Sequence, residues 1–233
     1  MIIESYGYSI NKKNNSINKC EITKINMDTN IKFVQLADPQ FGMFAHFSGI
    51  SDQEILDFKA RNCHVRKSPL ISGCENEKRL FGKAIDASNR IQPDFVVVCG
   101  DMTNNAADPV QIGLVKSGAS KLSPNIPIHW VPGNHDVAVD NKVPTQEYID
   151  KYRQNYGNDY YAFDLKGVKF LVINSVVLDR PDNVNDELKS QLSFIDETLT
   201  DAERHSVPVI VFTHHPLFLS APDEPVDEYP NGG

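Results

Sequence analysis

The chain has 233 residues, 40% of them hydrophobic, with a mean hydropathy of -0.36; that is enough to bury one sizeable core and fits a single α/β domain. Its net charge of -8 and isoelectric point of about 5.3 argue against a nucleic-acid backbone as the main partner. They do not exclude small phosphates, because a bound metal reverses the sign of a site locally.

Residues 1–30 are rich in Asn, Lys and Ser with little periodicity, and a flexible N-terminal tail is expected there, leaving 31–233 as the domain. No signal-peptide pattern and no bilayer-spanning apolar run is found. Cys20, Cys63, Cys74 and Cys99 form no C-x-x-C pair, so reduced thiols and a cytoplasmic location are expected.

From Ile31 the text changes. IKFVQLA reads as a strand stopped at Asp38-Pro39, since proline cannot donate to a sheet ladder. Gln40 to Glu75 has no clear periodicity. It contains Arg61, His64, Arg66 and Lys67, which are expected to form a solvated surface cluster, with phosphate contact as the sharper alternative. ENEKRLFGKAIDASNRI is expected to be a helix with Leu80, Ala84, Ala87 and Ile91 near one face. DFVVVC is an unbroken apolar run, the mark of a strand covered on both faces. A weaker helix is expected from about Asp108 to Leu122, then the strand IPIHWV, stopped by Pro132-Gly133.

PTQEYIDKYRQNYG should be helical, with Pro144 near its first turn and Gly157 at its end. YYAFDLKGVKFLVINS reads as two strands joined at a tight turn around Lys166-Gly167. DELKSQLSFIDETLTDAE places Leu188, Leu192, Ile195 and Leu199 on one helical stripe. VPVIVFT is the last strand, and APDEPVDEYPNGG reads as loop.

Alternating strands and helices imply a mainly parallel sheet covered by helices, with ligands beyond the carboxyl ends of its strands. Four apolar strands run directly into polar clusters: Asp38-Pro39-Gln40, Gly100-Asp101, Gly133-Asn134-His135-Asp136 and His214-His215-Pro216. Taken alone, Asp38-Pro39 reads as a common turn, Gly100-Asp101 as a loop start and His214-His215-Pro216 as a plain strand terminus, whereas Gly133-Asn134-His135-Asp136, though Asn-His-Asp suits an Asx-turn, is hard to explain structurally. Together at one sheet edge, these carboxylate, amide and imidazole groups are a divalent-metal ligand set. Two such ions side by side form a clamp for displacement at phosphorus. Cys63, His64 and Cys74 have no standard zinc spacing.

The ordered combination ADPQFG, VVCGD, VPGNHD and THHPLFL resembles the calcineurin-like metallophosphoesterases over about Ile31 to the end of the chain. The DPQFG opening, in place of the commoner D-x-H, matches the branch of calcineurin-like phosphoesterase domain-containing protein 1. The resemblance implies an α/β fold of the αββα sandwich type. It implies that Asp38 and Gln40 bind a first divalent cation (Mn, Fe, Zn or Mg), that Asp101 bridges two, and that Asn134 and His214 bind the second. His135 would be the general acid, Asp136 its supporting neighbour, and His215 only a packing or hydrogen-bonding residue.

Three departures from the family pattern stand out. Gln40 supplies a harder amide oxygen where histidine is usual. GDMTNNA has Asn104 where related phosphatases carry the aspartate that orients the catalytic histidine, and it lacks their phosphate-binding arginine. The family's G-H-x-H motif is not found before Gly233, so on the resemblance the strands completing the second sheet are missing from this chain.

The implied activity is hydrolysis of a phosphorylated substrate, a protein phosphoserine or phosphothreonine, by a metal-bridging hydroxide attacking phosphorus in line. The alternatives are a phosphodiesterase acting on small nucleotides and a catalytically impaired binding form. No nucleic-acid or membrane partner is implied.

Overall fold

The computed structural model describes residues 8–11, 16–19, 30–139 and 143–218. Most of the expected N-terminal tail and all of APDEPVDEYPNGG lie outside the described residues. Residues 1–30 form a unit of their own. Within it, Tyr8–Asn11 (β1) and Ser16–Lys19 (β2) pair antiparallel, with Tyr8 opposite Lys19.

From Ile31 onward the order is Phe33–Ala37 (β3), Met43–His46 (α1), Asp52–Ala60 (α2), Glu75–Ile91 (α3), Phe95–Cys99 (β4) and Pro109–Ala119 (α4). Next come Ile128–Val131 (β5), Asn134–Val137 (α5), Ala138–Val139 (β6), Val143–Pro144 (β7) and Gln146–Tyr156 (α6). The remaining elements are Tyr161–Leu165 (β8), Val168–Val172 (β9), Ser175–Asp179 (α7), Asn185–Arg204 (α8) and Val209–Phe212 (β10).

Two three-stranded sheets carry the fold. β3-β4-β5 is wholly parallel, with Phe33 opposite Phe95 and Val96 opposite Ile128. In β10-β9-β8, β9 and β10 run parallel while β8 and β9 form the expected hairpin, Leu165 opposite Val168. Lys166 and Gly167 both take positive φ, 48° and 79°, the primed-turn geometry that suits the twist of a two-residue hairpin.

Strand alternation decides which side chains meet. Phe95, Val97, Cys99 and Val131 of one sheet face Val168, Phe170, Val172 and Phe212 of the other. The rings of Phe95 and Phe170 stand 5.0 Å apart and edge-on, an arrangement the ring quadrupoles favour. The opposite face of β4, Val96 and Val98, packs with Phe81 and Ile85 of α3 and Val115 of α4. All five residues of β4 are buried, as its unbroken apolar text requires. Each such side chain contributes about 1.5–3 kcal/mol by leaving water.

The helices are where the sequence reading needs correcting. On α3 the covered face is Glu77, Phe81, Ile85 and Ser88, while Leu80 and Ile91 stay half exposed. The two stripes differ by one helical position, and the bulk of Phe81 and Ile85 decides which turns inward. On α8, Leu192 and Leu199 are exposed, and Gln191 and Ala202 are buried beside a partly covered Leu188. Gln191 belongs inside because its amide meets Asn174 twice: Gln191 Oε1 accepts from the Asn174 N–H at 2.7 Å, and Gln191 Nε2 donates to the Asn174 carbonyl at 3.1 Å.

α6 begins at Gln146 under a Thr145 cap, with Pro144, in β7, immediately before the cap and Gly157 at the end, as expected. The aperiodic segment holds α2, whose capping box Ser51-x-x-Glu54 was a readable start signal.

His129, in β5, lies in the aromatic layer. Its ring stacks on Phe163 at 3.8 Å, and its Nδ1 lies 3.3 Å from the Tyr161 hydroxyl. Burial pushes its pKa down to about 4 from the ordinary 6.5. The folded protein therefore resists a proton that the unfolded chain accepts, so this group's stabilising share is complete above 6.5 and is lost as pH falls toward 4. His129→Phe should flatten that acid limb. The check is the urea midpoint of both proteins at pH 7 and at pH 4.5; an equal drop in the two proteins would rule the role out.

Candidate metal centre

The loops after β3 and β4 are laid side by side by backbone bonds. Asp38 N–H donates to the Gly100 carbonyl at 3.2 Å, Gln40 N–H to the Asp101 carbonyl at 2.8 Å, and Phe41 N–H to the Met102 carbonyl at 3.2 Å. Asp38, Gln40 and Asp101 hold positive φ values of 50°, 35° and 52°, a conformation non-glycine residues seldom keep outside functional sites.

Two glycines make room for the side chains. A Cβ on Gly100, itself at φ 77°, would run into the His214 ring. A Cβ on Gly133 would run into the Asp101 carboxylate and its backbone nitrogen.

Possible ligand atoms of Asp38, Asp101 and His214 all lie within 4.8 Å of one another. They come from the ends of β3, β4 and β10, where the strand-end rule expects them. His214 Nδ1 is 3.3 Å from the Cys99 carbonyl, which can only accept, so the proton of the neutral ring sits on Nδ1. Nε2 then presents a lone pair to Asn134 Oδ1 at 3.0 Å and to Asp101 Oδ1 at 3.6 Å. Neither of these oxygens can donate. Acceptor atoms facing one another with no proton between them are a donor set for a cation. Their separations match those of ligands sharing one ion at roughly 2.0–2.2 Å. The residues present fit a divalent metal.

His135 is fixed from two sides. Its N–H donates to Asp101 Oδ1 at 2.9 Å, and its Nδ1 lies 2.9 Å from the Asn104 carbonyl. Nδ1 therefore donates, and Nε2 is left 3.9 Å from Asp101 Oδ2. The position expected to have lost its orienting carboxylate orients the ring through its main chain. No letter of the sequence could have displayed that contact.

Asp136 is buried, and its oxygens accept from Gly133 N–H at 2.8 Å and from Met102 N–H at 3.0 Å. Burial, then the charge of Asp101, push its carboxyl well above the usual range. Burial also raises Asp38, with Asp101 adding to the effect and His214 and His135 opposing it.

Gln40 is buried, and with Asp38 it lines an open cleft of about 430 Å³ walled by Met43, Phe44 and Leu80. Its backbone N–H is tied to the Asp101 carbonyl. His215, expected to have a packing or hydrogen-bonding part, makes its hydrogen-bonding contact at the site itself: its Nε2 is 3.4 Å from Asn134 Oδ1.

The Cys99 thiol, pushed up to about 11 by burial, lies in the core between the sheets, where Gln35 Nε2 donates to its sulfur at 3.5 Å. Arg61, His64, Arg66 and Lys67 are exposed, and Lys67 pairs with Asp52 at 2.6 Å, as a solvated cluster would. Among the described residues, no helix is long and apolar enough to cross a membrane.

The family model for calcineurin-like phosphoesterases matches residues 31–231. Proteins named serine/threonine-protein phosphatase CPPED1 from Pongo abelii and Homo sapiens are each 33% identical to the chain over 207 residues, covering 85% of this chain and 60% of theirs. The chain thus spans about 60% of the length of these curated relatives. The crystal structure of a dimetal phosphatase from Danio rerio shares the fold, with a TM-score of 0.53 at 14% identity, over 81% of this chain and 70% of that one.

Gly133 sits at φ -111° and ψ 175°, which any residue can adopt, so an added methyl acts there by contact alone. Gly133→Ala should displace the Asp101 carboxylate and lower metal per chain while cooperative unfolding persists. Gly82→Ala, in α3 with nothing nearby, should leave metal content unchanged and stabilise by about 0.5–1 kcal/mol. Elemental analysis beside thermal unfolding tests both; undiminished metal in Gly133→Ala would contradict the steric account.

Proposed function

The chain belongs to the calcineurin-like phosphoesterase family, and from that premise we propose that it works as a metal-dependent phosphoester hydrolase acting on phosphoserine or phosphothreonine in proteins. The observation that carries this reading is the meeting of Asp38, Asp101 and His214, with the His214 lone pair turned toward the other ligands. The protein substrate is suggested by the name of the CPPED1 relatives, serine/threonine-protein phosphatase.

In this reading Asp38 and Gln40 hold one cation, Asn134 and His214 the other, and Asp101 both. Asp101 suits the shared position because its two oxygens look different ways, Oδ1 toward His214 and Oδ2 toward His135. Divalent cations bound there supply charge that polarises a phosphoryl group and makes water more acidic. The two ligand sets differ in hardness. Asp38, Gln40 and Asp101 offer only oxygen and suit Mg or Mn, whereas Asn134, His214 and Asp101 add a nitrogen that suits Zn or Fe.

His135 does the proton work. Its Nδ1–H is engaged by the Asn104 carbonyl, so the acid form is the doubly protonated ring, whose Nε2–H passes to the departing alkoxide and leaves the neutral ring protonated at Nδ1. The Nδ1 bond also fixes where Nε2 stands, 3.9 Å from Asp101 Oδ2. The cleft beside Asp38 leaves that side of the site open to a bulky ester.

A screen with Mn, Fe, Zn and Mg, comparing phosphopeptides with linear and cyclic diesters, tests the function. Faster turnover of a diester would move the substrate class to nucleotides, and no turnover with any metal would defeat the hydrolase reading. His135→Ala should lower kcat on alkyl phosphates by about 10²–10⁴-fold and cost less on aryl phosphates, whose leaving groups need little protonation. Equal losses on both would count against the general acid. Asp101→Asn should release both metals, seen by elemental analysis; two tightly held ions would sink the shared-ligand assignment.

A further inference from the structure

An amide side chain has two opposite ends. Asn134 presents either an oxygen lone pair or, after a half-turn, an NH2 group that repels a cation. The ligand set alone favours the wrong end. With its proton on Nδ1 at the Cys99 carbonyl, His214 offers Asn134 only a lone pair, which attracts NH2.

A counterweight lies next to it. His215 Nε2 is 3.4 Å from the same Asn134 oxygen, at the long end of hydrogen-bond range. The two histidine rings stand 5.0 Å apart, tilted by 43°, and both have Nε2 near that oxygen, at 3.0 Å for His214 and 3.4 Å for His215. We propose that His215 is a positioning residue: it donates Nε2–H to Asn134 Oδ1 and holds the amide with its oxygen toward the metal centre. The oxygen has two lone pairs, so one accepts from His215 while the other remains for the cation. This inference rests on the metal-centre reading above.

His215 is itself held in place. Its backbone N–H donates to Ser175 Oγ at 2.9 Å, and Ser175 is the first residue of α7. The cap of that helix, Asn174, is fully buried. Gln191 grips its backbone at 2.7 and 3.1 Å, and its Nδ2 donates to Asp159 at 2.9 Å. The ring thus hangs from a rigid buried network. Partners of this kind, standing behind a metal ligand, typically govern 10–100-fold in metal affinity.

The test uses His215→Ala and His215→Gln, the latter keeping an N–H donor. Metal per chain and affinity are read by chelator competition with Mn and with Zn, and thermal unfolding is measured after metal removal. His215→Ala should weaken one of the two metals by about 10–100-fold, leave the other in place and leave the metal-free unfolding midpoint unchanged. His215→Gln should recover part of the loss. Two metals bound as tightly in His215→Ala as in the wild type would overturn the assignment. So would a metal-free midpoint that falls in both variants, which marks a packing role. A wild-type protein that binds no metal would instead bring down the metal-centre reading, and this one with it.

Discussion

Two loops from neighbouring parallel strands meet on one carboxylate. Asp136 accepts from Gly133 N–H at 2.8 Å and from Met102 N–H at 3.0 Å, one donor from the loop after β5 and one from the loop after β4. Both donors are buried, and either left alone would cost about 1–3 kcal/mol. This bond pair sets the depth at which Asp101 and Asn134 stand relative to each other. The site tolerates no slack there: Gly133 lies so near Asp101 that even a methyl group would displace it. The close approach also explains why the carboxylate is buried. A side chain that links two inward-turned loops from beneath has no route to water.

The other loops are fixed by equally specific means. The loop after β3 is bonded to 100–102 at its near end, and at its far end Glu77 Oε1 accepts from Gly42 N–H at 3.1 Å and from Phe44 N–H at 3.0 Å. That is why a charged residue occupies the covered face of α3. The loop after β10 rests on Ser175, and behind Ser175 runs a polar chain through Asn174 and Asp159 to Arg153, which also grips Glu187 with two bonds of 2.8 and 2.7 Å. These bonds hold only because the sheets behind them are rigid, and the sheets are rigid because β4 is apolar throughout and packs on both sides. The sandwich core serves the site by making strand ends into fixed points.

The strands and the polar clusters at their ends were legible because the relevant signals are local. An apolar run closed by Pro or Gly gives a strand end, and a strand end gives a direction. The faces of α3 and α8 were less legible, because a stripe through Leu80 and Ile91 and one through Phe81 and Ile85 satisfy the same period; only the shape of the facing sheet chooses between them. Gln191 falls outside the stripe through Leu188 and Leu192 for a related reason. A polar letter suggests solvent, yet two bonds to Asn174 make it a core residue. The Asn104 carbonyl at His135 was beyond reach, since a main-chain group looks alike at every position. His215 was legible as a packing or hydrogen-bonding residue, but its partner, Asn134, emerges only when the fold sets the two side by side.

Taken together, these contacts place the centre at odds with the stability of the chain. Asp38, Asp101 and Asp136 bring three carboxyl groups into one small region, and among the described residues no lysine or arginine pairs with any of them. Like charges in a partly buried site repel more strongly than they would in water. The backbone adds strain through the positive φ of Asp38, Gln40 and Asp101, and each such residue costs on the order of 1–3 kcal/mol. Both terms oppose folding; the arrival of positive charge among the oxygens relieves the repulsion and offsets the strain. A cation that binds the folded arrangement and not the unfolded chain then stabilises the whole domain in proportion to its occupancy. Metal affinity and fold stability are therefore coupled at the loops after β3, β4 and β5, and the aromatic core between the sheets carries the opposing load.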